Sequence, residues 1–584
     1  MQEATHIPTD LDACQTLILE QARTLLDIQK SKEDLAKEVS ELKLQITRLM
    51  QRLYGQKSER NTDDPNQLQF GFADDEQAND AVSSAVLDAE KFVTEYTVRR
   101  TTVKQKQQRN EQLPAHLERY EVIVPVRETD RHCVEHGERV IIGYDTTETL
   151  EFERPKLRVR VTKYPKLACV NQPQCGITQP ERAAGLVEGN RYDSSIATEI
   201  ITAKYGYHLP FYRQQDWFAG SGWCPTRSTL LNIMVAAENV LRPLASYFRQ
   251  LLMQDQVLGC DETTVTLVTP TVMPTLTENV SARDQRRFEV LTEAINKDRH
   301  SLNARMWAYR GVTVPINVFD FTVSRDRYGP DDVLSEFRGF LMADCWSGFQ
   351  QIHLRSDSRI VRCACMAHAR RKVHECRASH PQQASVLLAM FRQLYDIEDR
   401  AKDLSSEQRL AMRQTMSTVV LKRMREYLDS DAVQLPSVLP KSDFAQAVKY
   451  LNNHWVQLNL YTTDGRIPID NNDVEQLMKQ VATGRKNWLF LGSPDAGDRA
   501  ATLLTLISTA LRHDLDVWAY LKAAIDQLQA GSTDYHSLRP EVWKLAHPQF
   551  VRTYRTEERR DAATRTRLTR AQRRLANAKK QSVR

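Results

Sequence analysis

From Gln256 to Cys365 the chain strings together three strand-length apolar runs (Val257 to Val268, Ala304 to Arg310, Ile316 to Val323), a helical run from Pro330 to Phe337, and two further strands (Phe340 to Asp344, Ile360 to Cys365). Strands joined directly tend to pair antiparallel, whereas a strand reached through a helix returns parallel, so this order predicts a mixed α/β sheet. Two of the strands carry an acid, Asp261 within Leu258-Gly259-Cys260-Asp261-Glu262 and Asp344 at the end of Leu341-Met342-Ala343-Asp344. On adjacent strands the two carboxylates would lie side by side.

A third acid, Glu475, follows Ile469-Asp470-Asn471-Asn472-Asp473-Val474 and opens a helix whose apolar stripe is Val474, Leu477, Met478 and Val481. Each acid has an ordinary structural reading. An Asp closing a strand is commonly a turn former, and Asn472-x-x-Glu475 has the form of a capping box. Taken together they suit divalent metal and phosphate. Magnesium prefers oxygen ligands and is usually held by one or two carboxylates plus substrate phosphate. Two such ions about 3.5–4 Å apart activate an attacking oxygen and stabilise the leaving one. One carboxylate must then bridge: Asp261, held rigidly in a strand, is the candidate, with Asp344 and Glu475 each completing the shell of one Mg²⁺ or Mn²⁺.

The 584 residues suggest several domains, and 41% hydrophobic content suffices for packed cores. No apolar run approaches the ~20 residues of a membrane span, and Met1-Gln2-Glu3-Ala4-Thr5-His6 lacks the pattern of a secretory signal. A cytoplasmic, membrane-free protein is expected. Ten cysteines, several at ligand-like spacing, point to thiols and metal rather than disulfides.

At the N-terminus, Leu25, Ile28, Lys32, Leu35, Val39, Leu42, Ile46, Leu49 and Leu53 alternate steps of three and four, so residues 11–60 read as a coiled coil for self-association. Residues 61–112 turn polar and read as a linker. In 113–185, Cys133-x-x-His136 and Cys169-x5-Cys175 offer four ligands for a structural zinc, although the second spacing is wide and His132 competes with His136. Residues 190–252 read as short helix, Gly-containing turn and long helix, compatible with a helix-turn-helix reader or a plain packing domain.

The catalytic sheet is expected at 253–500, with a helical insertion at about 367–460 between its last strand and Glu475, and a helical domain at 501–548 behind it. Cys365-x-x-His368 reads as a buried Cys beside a His that braces the acids or meets phosphate, more than as a metal pair. The cations Arg370, Arg371 and Lys372, with Arg485 and Lys486, are the candidate phosphate contacts. The tail, 549–584, is basic: from Arg552 onward twelve Lys and Arg face three acids, an excess larger than the +5 of the whole chain. A polyanion is its natural partner.

Several blocks resemble the insertion-sequence 66 transposases, bacterial DDE enzymes with a ribonuclease H-like core. They are Leu53-Tyr54-Gly55-Gln56-Lys57-Ser58-Glu59, the Cys/His knuckles, Asp261-Glu262-Thr263, Ala343-Asp344, Ala367-His368-Ala369-Arg370-Arg371-Lys372, Ile469-Asp470-Asn471-Asn472 to Glu475, and Gly484-Arg485-Lys486-Asn487-Trp488-Leu489-Phe490-Leu491-Gly492-Ser493. The resemblance implies that Asp261, Asp344 and Glu475 are the catalytic triad. It implies that the enzyme cleaves double-stranded DNA at inverted-repeat element ends and joins the freed 3′-hydroxyl to target DNA near the bacterial nucleoid, with other proteins of the element as candidate partners. The chain departs from the family at His136, where Cys is usual, at the widened second knuckle, at Gln476, where Arg is usual, in an additional segment from about Pro270 to His300, and in its Arg-rich tail. Two alternatives stay open: a catalytically silent DNA-binding protein of the element, and a metal-dependent resolvase or nuclease that cuts without joining.

Overall fold

A computed structural model describes residues 192–272, 276, 280–434 and 442–564, with short pieces of 132–186. The expected coiled coil and linker, the ligand candidates His136, Cys169 and Cys175, and residues 565–584 of the tail lie outside the described residues. Of Cys133 only the backbone is described, on β1 (His132–Cys133), which pairs antiparallel with β2 (Gly137–Glu138). A similar hairpin joins β3 (Leu167–Ala168) to β4 (Ile177–Thr178). The β1–β2 hairpin belongs to one compact unit. The other unit contains β3, β4 and the described chain from 192 onward except 220–223.

In this second unit the first helices are α1 (Ser194–Ile201), α2 (Phe211–Ala219) and α3 (Arg227–Leu252). Thr226 caps α3 by accepting the Thr229 amide. The body of α3 is buried from Leu230 to Leu252 along a 3.6-residue stripe, so it is a packing helix; Arg227 and Ser228 in its first turn remain exposed.

A five-stranded sheet follows, in the order β7-β6-β5-β8-β9: β5 (Val257–Val268), β6 (Ser301–Gly311), β7 (Asn317–Thr322), β8 (Gly339–Ala343) and β9 (Ile360–Ala364). The first three strands pair antiparallel, and β8 and β9 run parallel to β5. This mixed sheet is the one the strand order predicted. The β5–β8 register pairs Val257 with Phe340 and Gly259 with Met342. Carried two residues further, it sets Asp261 level with Asp344, which stands just past the end of β8. The additional segment forms α4 (Ala282–Asn296), tied back by Arg283 to Asp320, the Phe321 carbonyl and Asp332. The predicted helix after β7 is shorter than expected, α5 (Tyr328–Val333), and the 3-10 turn Ser347–Phe349 and α6 (Ile352–Arg355) lead to β9.

The insertion is helical, as its periodicity predicts: α7 (Met366–Glu375), α8 (Pro381–Ala401), α9 (Ser406–Met412), α10 (Thr418–Leu428), α11 (Asp431–Gln434), α12 (Asp443–Asn453) and α13 (Trp455–Asn459). It shares an apolar core with β9. Fully buried Arg413 crosses this core, bonding both carboxylate oxygens of Glu398 and the carbonyls of Tyr461, Asp464 and Ile467. That cluster fixes the path by which the chain leaves the insertion and returns to the sheet.

The chain re-enters as α14 (Asn472–Trp488), then α15 (Pro494–Arg512), α16 (Val517–Gln529) and α17 (Pro540–Ala546). The expected boundary at 500/501 falls inside α15 and is corrected: this helix is buried on most of its circumference from Ala500 to Ala510 and lies on β7 and α3. Thr505 and Thr509 accept the Phe319 and Asn317 amides of edge strand β7, so α15 finishes the sheet. Among the described residues no helix is long and apolar enough to cross a membrane.

Candidate active site

The position of α14 decides the site. Its first turn packs directly on β5 at Gly259, where an added Cβ would stand 2.4 Å from Val474 Cγ2 and 2.9 Å from Asn471 Oδ1. Only glycine permits that approach. Gly259 and Asp261, two residues apart, share this face of the strand. The expected capping box is corrected by one residue: the cap is Asn471, and Glu475 is not reaching back to it. Asn471, almost wholly buried, donates its side-chain amide to the Cys260 carbonyl at 2.8 Å and its backbone N–H to Cys365 Sγ at 3.2 Å. Asn472 instead turns its amide to Asp470 at 2.8 Å. One asparagine thus joins β5, the end of β9 and the start of α14, and Glu475, whose N–H donates to the Asn471 carbonyl, follows from that joint.

The three predicted acids are therefore brought into one neighbourhood, near enough for Glu475 and Asp344 to act electrostatically on Asp261. Burial, followed by the charges of Glu262, Glu475 and Asp344, pushes the Asp261 carboxyl up to about 7. Two members of the cluster were missed from the sequence. Glu262 is buried and raised by desolvation, against the opposing pull of Arg325. Arg325 Nη2 lies 2.6 Å from Glu262 Oε1 and 3.5 Å from Asp344 Oδ2, with its guanidinium 5.0 Å from the Trp346 ring. Glu262 had a signal, adjacency to Asp261; Arg325, in the loop after β7, had none. Asp470 is also raised, to about 6, by burial, although the Asn472 amide and the Tyr395 hydroxyl donate to it.

On the other side His368 Nδ1 lies 3.7 Å from Glu475 Oε1 and Arg371 Nη2 lies 3.9 Å from Glu475 Oε2. Burial lowers the affinity of His368 for a proton, against the attraction of Glu475. His368 thus stands beside the acids, as expected. Buried Glu262 Oε2, Glu475 Oε1 and His368 Nδ1 have no hydrogen-bond partner. A Glu475 oxygen with no donor, and an Asp261 carboxyl raised to about 7 by burial and then by its acidic neighbours, fit a hard divalent cation, which would supply the missing positive charge.

The cations divide. Arg371 and Lys372 are exposed on α7, but Arg370 is withdrawn from the phosphate-facing set because it is buried beside Tyr395. Lys486 is exposed, whereas Arg485 is committed to Thr263 and Thr264 of β5 at 2.5–2.9 Å and clamps α14 to the strand. Beyond it Leu489 adopts φ +64°, a costly conformation for a leucine, and Leu491 extends β5 by accepting the Val268 N–H and donating to the Thr266 carbonyl.

An acid cluster on a mixed sheet, bordered by exposed cations, belongs here to a transposase. More particularly, the chain belongs to the transposase IS66 family, whose profile matches residues 189–275 and 273–499. A second profile, transposase C of IS166 homeodomain, matches 41–122. Similar proteins occur in Sinorhizobium fredii (strain NBRC 101917 / NGR234). Uncharacterized protein y4jD is 29% identical over 523 residues, 88% of this chain and 96% of that one. Uncharacterized protein y4hP is 27% identical over 534 residues, 87% and 90% of the two chains. Among solved structures, the Drosophila P element transposase strand transfer complex aligns with 57% of this chain and 95% of that one, at 11% identity and a TM-score of 0.31.

Proposed function

We propose that the chain is a DDE-type transposase with a ribonuclease H-like core, in which Asp261, Asp344 and Glu475 hold two Mg²⁺ or Mn²⁺ ions, cleave element ends and transfer the 3′-hydroxyl to target DNA. The observation that carries this reading is the placement of the three acids on β5, just past β8 and in the first turn of α14, with Asp261 raised first by burial and then by its acidic neighbours, Glu475 and Asp344 among them. Bound divalent ions would neutralise phosphodiester charge and activate the attacking oxygen. The protein's own part is positional. Asn471 and Gly259 seat Glu475 against Asp261, Arg325 offsets part of the acidic charge, and Arg371, Lys372 and Lys486 attract the DNA backbone.

The same reading gives the N-terminal coiled coil to homo-oligomerisation, Cys133, His136, Cys169 and Cys175 to a structural zinc, and the tail to sequence-independent phosphate contact. It is tested by Asp261→Asn, Asp344→Asn and Glu475→Gln. Each is expected to abolish Mn²⁺-dependent cleavage of a supercoiled plasmid carrying the element ends while end binding stays close to wild type. Near-wild-type cleavage by any one removes that residue from the site. Product analysis for joined strands separates a transposase from a nuclease that only cuts.

A further inference from the structure

Cys365 ends the β9 connection and is the N-cap of α7, His368 lies one turn along that helix, and Glu475 enters from α14. One ligand atom from each, the thiol sulfur, an imidazole nitrogen and a carboxylate oxygen, lies within 4.8 Å of the other two. His368 Nδ1 and Glu475 Oε1, 3.7 Å apart, are both buried without a hydrogen-bond partner. Around a tetrahedral zinc, with Zn–N and Zn–O of about 2.0–2.2 Å and Zn–S of about 2.3 Å, ligand atoms stand about 3.4–3.6 Å apart. The His–Glu pair, at 3.7 Å, is already close to that spacing, and the sulfur has to close by no more than about 1.2 Å. This donor set differs in kind from the carboxylates of the acid cluster. Magnesium avoids sulfur, whereas zinc and cobalt accept thiolate, imidazole and carboxylate together.

We infer that Cys365, His368 and Glu475 form a second, thiolate-containing site for a borderline-soft divalent cation such as Zn²⁺, which takes Glu475 away from the hard-cation site. On binding, the Cys365 thiol gives its proton to solvent and the thiolate becomes the ligand. The Asn471 N–H that donates to this sulfur supports the anion. Binding is independent of the proposed catalysis; the competition rests on Glu475 being a ligand of the hard cation. Zinc then inhibits without displacing DNA.

The test uses the full chain loaded with Co²⁺, whose bond to a thiolate gives an intense near-ultraviolet charge-transfer band. Cysteines of the N-terminal knuckles contribute equally to all variants, so the difference between wild type and Cys365→Ser isolates this site. Cys365→Ser is expected to lose the intensity of about one cobalt–thiolate bond and one equivalent of tightly bound zinc. His368→Gln, should the serine variant fail to fold, is expected to lose the same zinc equivalent. Identical spectra and zinc stoichiometry in wild type and the folded variants would overturn the site. For the competition, Zn²⁺ titrated against Mn²⁺-supported cleavage is expected to inhibit Cys365→Ser at a concentration at least tenfold higher than wild type, each rate taken relative to its own zinc-free value. Equal inhibition overturns the competition and leaves the catalytic reading standing; a wild type that does not cleave defeats the catalytic reading, while the cobalt spectra still decide the site.

Discussion

Gly259 of β5 and Val474 of α14 touch so closely that a single methyl on the glycine would come within 2.4 Å of the valine side chain. The contact lies two residues before Asp261 and one before Glu475, so it sets the distance between two of the acids. Gly259→Ala is expected to push the start of α14 outward and lower cleavage on the order of 100-fold, the usual cost of about a 1 Å misplacement in a catalytic group. Adding Val474→Ala removes the obstructing Cγ2 and is expected to recover most of that loss. A double variant no better than Gly259→Ala alone would show that the strand, not the spacing, had been damaged.

Arg325→Met removes the cation paired with Glu262 beside Asp344 and leaves only the weaker pull of Arg305. Because Arg325 is partly exposed, the expected loss is modest, about 1–3 kcal/mol at pH 8 by denaturant unfolding. Glu262 escapes the penalty by taking up a proton, so the difference from wild type is expected to shrink toward pH 5. A loss that grows on acidification contradicts this account.

Asp261 releases its proton near pH 7 in the metal-free protein, well above its ordinary value of 3.8. Its protonation therefore stabilises the metal-free fold fully below about 4, and that contribution disappears as the pH rises through about 7. A cation has to displace this proton in acid but not in alkali. Apparent affinity for the first Mn²⁺ is thus expected to rise up to tenfold per pH unit below about 7 and then level off, with calorimetry in two buffers registering about one proton released per site at pH 6 and close to none at pH 8.

Arg413→Met leaves the largely buried Glu398 without its partner and frees three carbonyls of the segment that leads to α14. Breaking a buried pair in this way costs roughly 3–5 kcal/mol. Hydrogen exchange is expected to rise in residues 460–475 as well as around Arg413. If it rose only around residue 413, the cluster would not be what steers the return to the sheet.

The sheet was legible because its strands are apolar and separated by clear breaks, and the insertion because its apolar residues keep a helical period through several helices. The site was legible where an acid interrupts an apolar run, as at Asp261 and Asp344. Asn471 was misread because propensity favours the asparagine with an acid three residues on, whereas a bond to the Cys260 carbonyl, more than two hundred residues away in sequence, claims the other one. Arg370 shares the face of Met366 and Val373, so helical phase could have marked it as buried; three consecutive cations drew attention to charge instead. Arg325 reaches the acids only through the fold, and no local pattern announces it.

The insertion between β9 and α14 also has a consequence in time. Asp261 and Asp344 are both made before it, and Glu475 only after another hundred or so residues have left the ribosome. At ~5–20 residues per second that is a wait of roughly 5–20 s, during which two acids exist without the third. Helix α15, which covers β7, comes later still. The chain therefore cannot assemble its acid cluster vectorially, strand by strand: the earliest moment at which Glu475 can join the other two is set by the length of the helical detour, and shortening that detour would bring it forward.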